Sequence, residues 1–197
     1  MDERILTPEE SLLLITRTIE ETKKRFQENG HIMILWGVLI FIVFVSQYIL
    51  VLLGWYKSFD IAWTCVLFPL GAIYTFVYTR EKVKKNNLPK TIIGRIMITM
   101  SWVFGANLMM IALVFAHQLG NALGPIFLIL FALMIVMIGV SIKFKPIIIG
   151  GILLNLMGFA AFYVDRQYHG LVLAAGAVIA MIIPGILLTM ANRKEHV

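Results

Sequence analysis

Ile32-Met-Ile-Leu-Trp-Gly-Val-Leu-Ile-Phe-Ile-Val-Phe-Val-Ser-Gln-Tyr-Ile-Leu-Val-Leu-Leu53 carries no formal charge. A helix needs about 20 such residues to cross roughly 30 Å of hydrocarbon. Shorter runs repeat the pattern at about 61–78, 96–115, 123–142, 147–163 and 171–190. The expected architecture is therefore an all-α polytopic membrane protein. A six-span bundle covers 32–190, an N-terminal segment 1–31 precedes it, and a tail 191–197 follows it. The whole chain of 197 residues fits this reading, being 60% hydrophobic and 14% charged with a mean hydropathy of +0.89. Soluble domains carry about 25% charged residues.

The net charge of +6 does not point to nucleic acid, because the cations sit in the segments that flank the spans. With the N-terminus inside, fifteen of the 17 Lys and Arg fall on the inner side, and only Lys57 and Arg166 fall outside. That is the positive-inside pattern, and it places both termini in the cytoplasm. Residues 1–31 hold twelve charged residues and no apolar signal region, so the first span is expected to direct insertion itself. The single cysteine, Cys65, makes neither an intrachain disulfide nor a cysteine-based metal site.

The N-terminal segment reads as a helix lying on the membrane or on the protein's own loops. Thr7-Pro8-Glu9-Glu10 is a capping box. Leu12, Ile15, Ile19 and Phe26 then recur on one stripe, opposite Glu20/Lys24 and Glu21/Arg25 pairs. Lys23, Lys24 and Arg25 stand near the headgroups. The helix is either a topogenic anchor or a docking element for a cytoplasmic partner. A second basic segment, Thr79–Arg95, holds Arg80, Lys82, Lys84, Lys85, Lys90 and Arg95 against one acid, Glu81. It reads as a cytoplasmic loop able to meet anionic lipid. Pro69 is expected to kink the second span, and Trp36 to mark the membrane interface.

None of the six spans holds an ionisable residue in its interior. Ion-coupled pumps place such groups at membrane depth, so proton-driven transport is disfavoured. The motifs of zinc, aspartyl and serine intramembrane proteases and of phosphate-binding loops do not occur either. No catalytic or cofactor-binding residue is assigned, and the expectation leans against an enzyme. Asn107 and Asn155 sit near the middles of their spans, and Gln47 in the outer half of the first. An amide in hydrocarbon needs a partner. All three are expected in the bundle interior, Asn107 and Asn155 within reach of one another, as helix-to-helix bonds or as the lining of a solute path.

Small residues mark candidate packing faces: Gly151, Gly158 and Ala161 in the fifth span, Gly176, Ala180 and Pro184 in the sixth, Ser101 and Gly105 in the third. The Met97/Met100 and Met134/Met137 pairs are soft-metal ligands by chemistry and gap-fillers by habit. In the outer loops, His117, Asp165 and His169 are weak metal candidates.

The stretch from Thr7-Pro-Glu-Glu to Ile15, then Lys23-Lys-Arg-Phe-Gln-Glu-Asn-Gly30 and Leu35-Trp36-Gly37, resembles a group of small bacterial six-span proteins. In that group an acidic-capped amphipathic helix feeds into a Leu-Trp-Gly first span. The resemblance covers residues 7–37 and implies a bacterial inner membrane, with no activity and no functional residues to carry over. The function expected is that of a non-enzymatic accessory or regulatory component acting through protein interactions. The alternative is a small passive transporter or channel for an uncharged solute. The partners expected are the bilayer, a protein on the cytoplasmic side and further copies of the chain.

Overall fold

A computed structural model describes residues 7, 9, 10, 12–14, 16, 17, 20, 30–54, 60–86 and 92–194. Within these, the side chains of 60–65, 82–86, 92–94, 97, 112, 113, 116, 117 and 192–194 lie outside the description. Every regular element among the described residues is helical. In order they are α1 (Gly30–Leu52), α2 (Asp60–Asn86), α3 (Ile92–Val114), α4 (Leu123–Ser141), α5 (Lys145–Ala160), α6 (His169–Ala177) and α7 (Ile183–Lys194). A single π-helical turn, Val178–Ile182, joins α6 to α7. Among the described residues four helical stretches are long and apolar enough to cross a bilayer: Gly30–Leu52, Gly120–Ser141, Lys145–Tyr163 and Arg166–Ala191. They mark the chain as an all-helical, membrane-embedded protein.

Those four stretches form the packed core, and α2 and α3 flank it. α4 and α5 are an antiparallel pair whose close approach rests on glycine. A Cβ on Gly139 would stand 2.9 Å from the Ile148 backbone nitrogen, one on Gly151 3.0 Å from that of Val136, and one on Gly158 3.1 Å from that of Ile129. The three contacts share one register, which sets Asn155 opposite the fully buried Ala132. Lipid supplies no hydrophobic drive between apolar helices, so close backbone approach through small residues gives the dispersion contact that holds them.

α1 runs antiparallel to the last span. Gly30 abuts Thr189 and Gly185, Gly185 abuts Ile34, and Gly37 abuts Met181 and Ile182. The π turn lies just before the buried Pro184. Proline has no N–H for the carbonyl four residues back, and its ring clashes there; widening the preceding turn relieves the clash. Two glycines reach this turn from opposite helices, Gly37 of α1 and Gly150 of α5, whose Cβ would meet the Ile179 carbonyl oxygen at 2.9 Å.

The fifth-span and sixth-span small-residue faces are thus used inside the bundle. On the third-span face Ser101 and Gly105 are exposed, and nothing lies within 4 Å of a Cβ on Gly105.

α4 ends in a tight basic turn at Lys143-Phe-Lys-Pro. Lys143 takes φ 53°, the Phe144 N–H donates to the Gly139 carbonyl, and the Lys143 N–H donates to that of Val140. This is the Schellman pattern, with lysine in the position glycine usually holds.

One expectation is corrected here. The segment from Thr79 is not a loop at its start, because α2 continues as helix to Asn86. Arg80, Lys82, Lys84 and Lys85 therefore ride on a helix, and α3 already includes Arg95. Arg, Glu and Lys are good helix formers, and eight residues of helix add about 12 Å beyond Tyr78. Trp36 also has a packing role. It is half-buried, stacks on Phe68 at 6.2 Å and donates its indole N–H to Thr75 Oγ1 at 3.0 Å. Thr75 Oγ1 in turn donates to the Gly71 carbonyl, and Gly71 lets α2 come up against Leu39 and Trp36. Leu35-Trp36-Gly37 thereby serves two neighbours: Trp36 pins α2, and Gly37 admits the π turn.

Candidate functional site

The described part of the N-terminal segment forms its capping box. The Thr7 N–H donates to Glu10 Oε2 at 3.0 Å, and the Glu10 N–H donates to Thr7 Oγ1 at 3.2 Å. Residues 9, 10, 12–14, 16, 17 and 20 are helical, and Leu12 is exposed. Ile15, Ile19, Lys23, Lys24 and Arg25 lie outside the described residues, as do the side chains of Lys82, Lys84 and Lys85. Arg80 and Glu81 are exposed on the extension of α2.

The three amides do not share a path. Gln47 sits on α1, Asn107 on α3 and Asn155 on α5, and these helices pack on others: α1 on α2, α6, the π turn and α7, α3 on α4, α5 on α4 and the last span. Asn107 is exposed rather than interior, and its Nδ2 donates to the Val103 carbonyl one turn back on its own helix at 2.8 Å. The expectation that it faces the bundle interior and reaches Asn155 is corrected. Back-bonding to i−4 satisfies one amide hydrogen locally and lets the side chain stand on an outer face. Gln47 is half-buried and engaged.

Asn155 differs from both. It is half-buried at the outer edge of the α4–α5 seam. Among the described residues no group hydrogen-bonds its carboxamide. The opposing α4 surface offers Ala132, with Ile129 and Val136 to either side, and no polar side chain. Asn155 lies ten residues from Lys145 and eight from Tyr163, the latter 95% exposed. At 1.5 Å per residue that is about 15 Å and about 12 Å, the middle of a bilayer.

The outer-end candidates separate by role. His169 is 8% exposed, and its Nε2 stands 3.1 Å from the Ala161 carbonyl oxygen and 2.9 Å from that of Val164. Those carbonyls belong to the turn that ends the α5 span, where helix carbonyls run short of intrahelical donors; the Ala161 carbonyl also accepts the Val164 N–H at 3.2 Å. Gly124 makes room for the ring, since a Cβ there would meet Nδ1 at 2.9 Å. His169 therefore caps the preceding span; it is not a free ligand. Asp165 is exposed, and the His117 side chain lies outside the described residues. Among the described residues no three His, Cys, Asp or Glu side chains group as a metal site.

Three of the four methionines flagged in sequence meet, the Met97 side chain lying outside the described residues. Met100, Met134 and Met137 line an open cleft between α3 and α4 with Ile96, Ser101 and Ser141. Ser141 Oγ donates to the Met137 carbonyl, leaving a mainly apolar cleft that thioether side chains fill adaptably.

Sequence reasoning missed two features, the capping role of His169 and the π turn. The second had a signal in Pro184 inside an apolar span; the first had none. The fold defines a helical membrane protein with one of the three amides, Asn107, on an outer face. No protein-family model, curated protein or solved structure matches the chain.

Proposed function

We propose that the protein is a six-span component of a bacterial inner membrane, non-enzymatic, acting through protein interactions on the cytoplasmic side. α2 and α3 supply the second and third spans beside the four core ones. The inside count of Lys and Arg puts both termini in the cytoplasm, and the capped N-terminal segment lies as an amphipathic helix near the same face.

The carrying observation is the helical extension of α2. Its basic residues continue the span as one rod to Asn86, so Arg80 is presented at a fixed distance and direction from the bilayer. Basic residues carried on a helix suit recognition of an acidic protein surface, whereas lipid attraction needs only a slack basic tail. The test is a photo-crosslinking residue at position 80, and separately at 84, in native membranes. A protein adduct of one defined mass at both positions supports the reading. Adducts to lipid alone, at both, refute it.

A further inference from the structure

Asn155 is a carboxamide at mid-bilayer depth that makes no hydrogen bond among the described residues. It carries two donors and an acceptor, and hydrocarbon offers neither. The surface around it is patterned. Ile148, Ile152, Asn155, Phe159 and Phe162 follow one another at spacings of four, three, four and three. That alternation places them along a single seam of α5, as in paired helices. Ile152, Phe159 and Phe162 are each about half exposed. Across the groove, α4 adds Leu133 and Val140, both 57% exposed. Asn155 is the one polar group in this seam.

We propose that this face binds a second copy of the chain, α5 against α5, with the two Asn155 carboxamides bonded to each other. The argument for a second copy rests on symmetry and on donor–acceptor complementarity. A twofold axis along the membrane normal brings identical residues together at identical depth. It also makes the two α5 helices parallel, so the heptad seam matches itself. A carboxamide is self-complementary, because its N–H₂ donates to its twin's C=O. A lone asparagine in an otherwise apolar seam fixes register and partner number in parallel helix pairs. Asn107 differs in that one of its amide hydrogens is already bonded to its own Val103 carbonyl.

The test uses the full chain in a Cys65→Ser background, purified and reconstituted in phosphatidylcholine–phosphatidylglycerol vesicles without any other protein. Copies labelled at an added terminal cysteine report pairing by energy transfer as lipid dilutes them. A dimer is expected, and Asn155→Leu should weaken it by about 3- to 20-fold, the range of an interhelical amide bond. Asn107→Leu should leave it unchanged. Independently, unlabelled Ile152→Cys should oxidise to a covalent dimer, while Leu153→Cys, pointing away from the seam, should not. A chain that stays monomeric at every dilution overturns the proposal. So does a dimer indifferent to Asn155→Leu, or one that crosslinks through 153 and not 152. Pairing only with a different protein in native membranes, or coverage by lipid alone, gives the monomer result here. Because purified protein is used, this outcome is separate from the crosslinking at Arg80.

Discussion

Replacing Gly151 by alanine tests the packing of the two best-joined helices. The new Cβ would lie 2.6 Å from Val136 Cγ2, 3.0 Å from the Val136 nitrogen and 3.2 Å from Ile135 Cγ2, where ordinary contact begins near 3.4 Å. Valine in a helix has one strongly preferred rotamer, and the backbone nitrogen cannot step aside. α4 and α5 must therefore separate by several tenths of an ångström. Overpacking of that kind costs about 1–3 kcal/mol, against which alanine gains about 1 kcal/mol over glycine in helix propensity. The expected result is a net loss of up to about 2 kcal/mol. Gly105→Ala is the internal control: nothing lies within 4 Å of its Cβ, so the propensity gain of about 1 kcal/mol should appear undiminished. A Gly151→Ala/Gly158→Ala double variant should cost less than the two singles together. One separation of the helices relieves both clashes, and neighbouring substitutions that share a shift are not additive. The assay is unfolding by a denaturing detergent in mixed micelles, followed by circular dichroism. If Gly151→Ala stabilises as much as Gly105→Ala, the helices do not approach as closely as described and the packing argument fails.

Three further outcomes follow from local geometry. Lys143→Gly should raise stability by about 0.5–1 kcal/mol in the same assay, since glycine adopts φ 53° without the steric penalty lysine bears; an unchanged midpoint would speak against the Schellman turn. His169→Leu should cost about 1–3 kcal/mol by leaving the Val164 carbonyl without its donor, the Ala161 carbonyl keeping the Val164 N–H. Its hydrogen-exchange signature should be faster exchange confined to the turn between α5 and α6, and global loosening would contradict the capping role. Trp36→Phe keeps a ring against Phe68 but loses the bond to Thr75, for about 0.5–1.5 kcal/mol. Exchange should rise in α2 and not in α5, because α2 packs on α1.

Sequence alone located two of the spans closely. The expected 123–142 and 147–163 spans correspond to Leu123–Ser141 and to Lys145–Ala160 with its terminal turn through Tyr163. Hydropathy is a local property that sums along the chain, so a run of apolar residues of bilayer length declares itself without reference to anything distant. The capping box at Thr7 and Glu10 was legible for the same reason: all its atoms belong to one turn. What sequence left open was which way each helix faces. A helix that is apolar on every side has no stripe to orient it, and Asn107 and Asn155 look alike as mid-span asparagines. Only the neighbours distinguished them. α3 touches α4 along a limited strip and leaves Asn107 outside, whereas the glycines of α5 lock it to α4 in a register that holds Asn155 at the rim of the seam. The same holds for His169, whose partners come from the preceding span, and for Trp36, whose partner lies on α2. Each of these roles depends on a distance between helices, which side-chain contacts set and no single span contains.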